Sequence, residues 1–497
     1  MTALGDTSRD SVPSGKAPPG AAASSVPVPA DGGHPRRWLV LTVLAAVAFM
    51  AQLDLFIVNI AVPAMGHSFS GVGLSGLSWV LNAYAIVFAA LLVPAGRLAD
   101  HYGRKLFLLV GVATFTLASV LCAVAPALDV LVLGRVIQAA GAAMIVPSSL
   151  GLLMAAFPRR QHSLAVGIWA GVAAVAASSG APIGGLLVTV NWRLIFLINV
   201  PIGVATVVAG IRVLPEVRAQ PGAHLPDAVS AVSLLAAVTL LTLATVQGPS
   251  WGWGSAAVIG LFAAAAAATA LTVRRILRHP NALIEAHLFR SREFSTATIG
   301  LFLFFVAFAS WLLVTVLFLQ DEWHYSALRA GLGIAPGPLI AAVFAVNSGR
   351  ISARFGRTLP AALGALLIAA PGCLWLAFAQ ARPAYVAVFL PGMLLGGIGA
   401  GLAQAPLFAA ASGLPADRAT TGSAVLNMAR QLGSAVGVAV LVALLASQQP
   451  HALGLFQRGW ILQAGAAVAA AVSLVVLRAG RRRRVPEPEP VPLPTGP

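Results

Sequence analysis

Residues 96–104 read GRLADHYGR, and residues 349–357 read GRISARFGR. The two stretches lie 253 residues apart and match in register at Gly, Arg, Gly and Arg, with Tyr102 aligned to Phe355. Each follows one long apolar run and precedes another. A loop duplicated at that interval predicts two halves that run in the same direction, related by a pseudo-twofold axis along a membrane normal.

Outward from the two loops the chain divides into fourteen apolar runs: 38–64, 76–97, 105–125, 128–157, 162–190, 193–214, 226–247, 254–277, 294–320, 326–349, 358–380, 383–411, 418–447 and 457–479. Crossing a hydrocarbon core takes about 20 helical residues. Strands are excluded by run length and by the lack of alternation, and a helix satisfies every backbone group inside lipid. The reading is an all-α integral membrane protein with 14 transmembrane helices. Two six-helix bundles, 38–214 and 294–479, flank a two-helix insert at 226–277. Residues 1–37 read as a disordered tail rather than a signal peptide, because the first apolar run is too long for one. Residues 480–497 read as a basic anchor followed by a Pro-rich tail.

Composition points the same way. Hydrophobic residues make up 59% of the 497 and charged residues only 9%, against about 25% charged in a soluble domain. The net charge of +16 would suit nucleic acid, but its placement argues otherwise. With the N-terminus inside, 25 of the 31 Lys and Arg fall in cytoplasmic segments, four outside (Arg193, Arg329, Arg382, Arg458) and two within spans (Arg135, Arg430). That is the positive-inside bias of a multi-pass cell-membrane protein with both termini cytoplasmic. It leaves no call for a nucleic-acid partner, and Arg481–Arg484 reads as the anchor of the last span.

Among fifteen acidic residues, Asp54 alone lies well inside a span. A charge in hydrocarbon is costly and faces a cavity or a partner, so Asp54 is either half of a structural ion pair or a proton-titrating site. Its candidate partner is Arg135. Asp54 lies roughly 15 Å and Arg135 roughly 10 Å from the outer ends of spans one and four, at 1.5 Å per residue. Gln138 follows Arg135 at i+3 on the same helix face. Arg430 lies near the midplane of span thirteen with no acid at its depth in the second half. It either lines a watery cavity, binds backbone carbonyls or meets substrate. Asn59, Gln138, Trp169, Asn427 and Arg430 form the candidate substrate-cavity set. Asp227, at the start of span seven, reads as a helix N-cap.

In the first loop, Gly96, Arg97, Asp100, Gly103 and Arg104 form a candidate gate. The glycines permit close approach, and Asp100 with the arginines can tie the loop to a helix end. The plainer reading is an ordinary basic loop. The second copy has Ala353 where the acid would be. Span five contains Gly180, Pro182, Gly184 and Gly185, a row suited to tight helix packing and to a bend. Trp38, Trp192, Trp251, Trp253, Trp323 and Trp460 sit near run ends, as an interfacial belt would place them. Trp169 and Trp311 are internal, and each either faces a substrate or is held by lipid contact or packing, the plainer reading. Cys122 and Cys373 read as thiols packed against lipid or in the core. No metal-ligand spacing, nucleotide loop or hydrolase constellation occurs, so no cofactor is expected and an enzyme is disfavoured.

As a set these motifs are similar to those of a known family. LDLFIVNIAVP at 53–63, GRLADHYGRK at 96–105, LGRVIQAAGAA at 133–143, NWRLIFLINVPIG at 191–203, LFRSREF at 288–294 and NMARQLGSAVGVAVL at 427–441 resemble the 14-span drug:proton antiporter branch of the major facilitator superfamily. The resemblance implies proton coupling by Asp54 and Arg135, and a loop motif carried by Gly96, Asp100, Gly103 and Arg104. The family's span-five motif usually reads GPxxGG; here Pro182 stands one place late. The implied protein is a monomeric secondary antiporter, driven by the proton gradient, that exports hydrophobic or amphipathic small molecules. The alternatives are a dedicated transporter of one metabolite (a self-made antibiotic, a sugar or an amino acid) and a non-transporting membrane sensor. A single membrane acid equips the cavity poorly for dications, and Arg430 leaves room for neutral or anionic substrates.

Overall fold

The structure is a computed structural model that describes residues 34–69, 71–158, 161–216, 227–279, 284, 286–379, 382–410, 414, 419–446 and 453–482. Nearly all of both expected tails therefore lies outside the described residues. Fourteen helical segments follow in order. The first half comprises α1 (Arg37–Ser68), α2 (Leu74–Tyr102), α3 (Arg104–Val124), α4 (Leu128–Ala156), α5 (His162–Val190) and α6 (Leu194–Val213). Then come α7 (Ala228–Trp251) and α8 (Ala256–Arg278). The second half comprises α9 (Arg292–Glu322), α10 (Ala327–Phe355), α11 (Thr358–Phe378), α12 (Tyr385–Phe408), α13 (Ala419–Leu445) and α14 (Leu453–Arg482). Among the described residues 13 helices are long and apolar enough to cross a membrane, and α5, with 29 residues, fills the remaining place.

Packing repeats with the sequence. In the first half α3 lies on α4, α1 on α5, α2 on α4, and α6 on both α3 and α1. The same pairings recur eight helices later, as α11 on α12, α9 on α13, α10 on α12, and α14 on both α11 and α9. Small residues explain one of these matches. A Cβ on Gly111 would meet the Gly141 carbonyl at 2.9 Å, and one on Gly364, 253 residues on, would meet the Gly399 carbonyl at 2.6 Å. Both helix pairs thus approach backbone to backbone, as helices do in lipid, where apolar burial gives no drive for association.

The halves dock through α2 on α13 and α5 on α10, two contacts that exchange under the same repeat. The glycines of span five make one of them. Gly180 and Gly184 face Phe56, Ile57 and Ile60 of α1, whereas Gly185 meets Ala327 and Leu328 of α10. Gly331 of α10 in turn abuts Ala181. Helix α5 runs on through Pro182 as one element. These contacts lie away from the loop motifs. The motif end is held by the α2–α3 and α10–α11 junctions, where Gly103 (φ +109°) and Gly356 (φ +76°) occupy equivalent left-handed positions that any other residue would find strained.

Helices α7 and α8 form an antiparallel pair, and α7 packs on α2 and α13. Asp227 caps α7 by accepting from Val229 N at 3.2 Å and pairs with Arg275 of α8 at 2.8 Å. The tryptophans divide. Trp38, Trp251 and Trp253 are exposed, as belt residues would be, but Trp192, Trp323 and Trp460 are buried. Trp460 and Trp323 instead pack on Phe318, and Trp192 lies beside Phe69 and Phe196. Position near a run end does not decide belt against core when a neighbouring helix covers that end.

Candidate functional site

Asp54 sits in the middle of α1, fully buried, at the convergence of α1, α3, α4 and α6. Arg135 of α4 donates through Nη1 to Oδ2 at 2.6 Å. Gln138 of α4 and Asn199 of α6 donate to Oδ1 at 2.9 and 3.1 Å. The same two amides donate to the Ser119 hydroxyl of α3 at 2.9 and 3.4 Å. Arg135 also donates through Nε to the Val80 carbonyl of α2 at 3.0 Å, and its guanidinium lies 4.2 Å from the centre of the Tyr84 ring. The carboxylate therefore has three donors from three side chains, which is how a buried charge is tolerated in an apolar bundle.

Sequence reasoning found Asp54 and Arg135 by their charge, and the structure brings them into contact. It missed Ser119, Asn199 and Tyr84. Uncharged polar residues are common in membrane helices, and nothing in their spacing says which of them share a depth and a face. Gln138 is corrected: it was expected on the cavity wall, but it is fully buried and committed to the Asp54 cluster. The i+3 spacing did put it beside Arg135, and Arg135 donates to its Oε1 at 2.6 Å.

Between the halves lies a cavity of about 680 Å³. Asn59, Trp169, Asn427 and Arg430 all line it, as does Arg135, while Asp54 does not. Arg135 is thus the group that both touches the buried acid and faces the cavity. Trp311 also lines the wall, the position that the substrate-facing alternative gave it. It belongs to an aromatic row on α9 in which Phe304 stacks on Phe308 at 6.1 Å and Phe308 meets Trp311 edge-on at 5.9 Å. Phe56 of α1 completes the row from the other half, 6.3 Å from Phe308. The cavity extends to Leu92, Leu150, Ala409 and Ser423, in the motif-end portions of their helices. At the other end Gln320 of α9 donates to the Ile60 carbonyl of α1 at 3.2 Å, and the Gly185 contact joins α5 to α10. The space between the halves is therefore shut at the end away from the motifs and reaches toward the end that carries them.

At the motif loop Arg104 binds Asp100 at 2.7 Å. Its guanidinium crosses Gly151 of α4, where a side chain would collide with it. Gly96 brings α2 against Pro147 of α4. The loop is thus tied to α4 within its own half. In the second copy Arg357 takes the place of Arg104 and donates to the Ala409 carbonyl at the end of α12 at 3.2 Å. The acid missing at Ala353 comes from Glu293 on α9 at 3.1 Å.

Comparison with known proteins agrees with this architecture. The chain is 34% identical to the multidrug resistance protein Stp of Mycobacterium tuberculosis, over 83% of this chain and 76% of that protein. It is also 34% identical to the tetracenomycin C resistance and export protein of Streptomyces glaucescens, over 84% and 78%. The methylenomycin A resistance protein of Streptomyces coelicolor is 34% identical over 86% of this chain and 89% of its own. The fold is similar to that of the POT family transporter PepTSo, with a TM-score of 0.65 and 14% identity over 90% of this chain and 99% of that one. Residues 44–438 match the description of the Major Facilitator Superfamily, and the chain belongs to that family.

Proposed function

We propose that this chain is a proton-coupled antiporter that expels hydrophobic or amphipathic small molecules across the cell membrane. The motif end, where the basic loops cluster, is taken as cytoplasmic, so the cavity receives its substrate from inside the cell. The observation that carries the reading is the position of Arg135, paired with the buried acid on one side and lining the cavity on the other. The names of the relatives, which speak of multidrug resistance and of tetracenomycin C resistance and export, support the direction of transport.

The coupling follows from charge. Protonation of Asp54 removes the partner of a buried guanidinium, and an uncompensated buried charge costs about 3–5 kcal/mol. Arg135 recovers part of that cost by turning toward the cavity. That scale approaches the ~5.5 kcal/mol that moves a two-state equilibrium from 1:99 to 99:1. Proton binding at Asp54 therefore biases the rocking of the halves about α2–α13 and α5–α10. A membrane potential of 100 mV supplies about 2.3 kcal/mol per charge moved, enough for a gradient of roughly 40-fold per proton with a neutral solute.

The test is substrate-dependent proton movement in inside-out vesicles. Wild type should release lumenal protons when substrate is added. Asp54→Asn, present in the membrane at equal amount, should not. Undiminished proton-coupled transport by Asp54→Asn overturns the assignment.

A further inference from the structure

Among the buried polar atoms of cavity-lining residues that lack a partner, most are donors. Arg430 Nε, Trp169 Nε1 and Trp311 Nε1 are buried without an acceptor among the described residues, and all three side chains line the cavity. Two other unpartnered polar atoms belong to lining residues, the Thr315 hydroxyl and the Asn82 amide oxygen. A hydroxyl can donate, and an amide turned over presents its NH2.

The charge is as one-sided as the donors. No Asp or Glu is among the residues that line the cavity. Of its two arginines, Arg135 is neutralised by Asp54 at 2.6 Å. Among the described residues Arg430 has no carboxylate partner, and its nearest ring contact is Phe305, whose centre lies 5.8 Å from the guanidinium carbon. A guanidinium presents a planar fork that a carboxylate fills with two parallel hydrogen bonds. Beside it stands the aromatic row that ends in Phe308 and Trp311, suited to a flat ring system. A volume of about 680 Å³ accommodates several fused rings.

We infer that Arg430 is the receptor for a carboxylate on the transported molecule, and that the substrates this cavity holds best are aromatic acids. The inference deepens the transport reading above and rests on it. Its energetics are distinctive. Export of a monoanion against uptake of one proton moves two charges down the membrane potential, a neutral molecule moves one and a monocation none. At 100 mV the attainable gradients are roughly 2,000-fold for the acid, about 40-fold for the neutral molecule and none for the cation.

The experiment uses one ring system in three charge states: anthraquinone-2-carboxylate, anthraquinone-2-carboxamide and a trimethylammonium derivative of anthraquinone. Binding to the purified full-length protein is measured by calorimetry, and flux of each probe in inside-out vesicles. Wild type should bind the carboxylate about tenfold to a hundredfold more tightly than the carboxamide, the scale of a charge-assisted hydrogen bond, and the cation most weakly. Arg430→Gln should erase the preference for the carboxylate over the carboxamide, and Arg430→Lys should keep part of it. If Arg430→Gln does not fold, the wild-type series decides. Equal binding of the three probes by wild type, failure to bind the carboxylate, or an unchanged preference in a folded Arg430→Gln overturns the inference. The two readings fail separately. Carboxylate preference without proton movement sinks the antiport reading, and proton coupling with no charge preference sinks this one.

Discussion

Arg357 reaches the Glu293 carboxylate at 3.1 Å, across 64 residues of sequence, in the same position relative to the fold where Arg104 meets Asp100 only four residues away. The two halves have kept the arginine and the helix it leans on, and have drawn the acid from different places. Both members of the second pair are about half exposed, so Glu293→Gln should cost no more than about 1 kcal/mol. Arg357→Ala should cost more, because it also removes a donor to the Ala409 carbonyl at the end of α12. Thermal unfolding in detergent of the two variants, compared with Asp100→Asn, checks the order.

The Asp54 cluster should behave as one unit. Asp54→Asn and Arg135→Gln, made singly, should each destabilise by about 3–5 kcal/mol, because each strands the partner in the core. The double variant should lose clearly less than the sum. A double-mutant cycle on thermal stability measures the coupling, and additive losses would show that the 2.6 Å pair carries no mutual energy.

Asn199 was invisible in the sequence but donates to Asp54 at 3.1 Å. Asn199→Leu removes a donor to a charged acceptor, a bond worth about 1.5–3 kcal/mol. Substrate-driven proton flux should fall with it although Asn199 lies outside the cavity lining. Serine at 199 should restore flux in part if donation to the acid is what matters.

Closure at the end away from the motifs depends on Gly185. A Cβ there would meet the Ala327 carbonyl at 2.5 Å and the Leu328 Cα at 2.8 Å, both backbone atoms with little room to yield. Gly185→Ala should hold α5 and α10 apart and favour the state open on that side. In a background without Cys122 and Cys373, a cysteine introduced at Asn59 should then label faster from outside.

The insert supplies a pH test. The Arg275 guanidinium, through its hydrogen bond, holds the Asp227 carboxyl well below the usual carboxylate range. A depressed value means that the pair contributes fully above the ordinary carboxylate value of about 3.9 and is lost only as pH falls through the lowered one. The stability contribution should therefore be flat from pH 5 to 8. Asp227→Asn should cost about 1–2 kcal/mol across that window, as loss of a cap and of a pair whose acid is buried and whose arginine is about a third exposed. Melting curves at the two pH values check it.

The fold was legible because lipid imposes it. Fourteen runs long enough to span, plus one duplicated loop, leave few arrangements that satisfy the backbone. The site was legible only where charge announced it. Asp54, Arg135 and Arg430 stand out because charge inside a span is costly. Ser119 and Asn199 do not, since their role depends on α3 and α6 turning particular faces toward α1. Glu293 was hidden for a similar reason: a search within the repeat finds Ala353 and stops. The buried Trp460 shows the converse, a residue whose place along the chain suggests the membrane surface and whose neighbours enclose it.

Helix α7 rests on α2 and α13, one helix from each half, and so lies across the seam where they meet. Its Val238, Leu234 and Leu235 form one apolar cluster with Ala85 and Ile86 of α2 and with Leu432 and Ala435 of α13. Apolar contact is non-directional, so the rocking proposed above would let α2 and α13 slide beneath it. On that reading the hairpin would serve as a sliding gasket, keeping lipid tails out of a joint that opens and shuts.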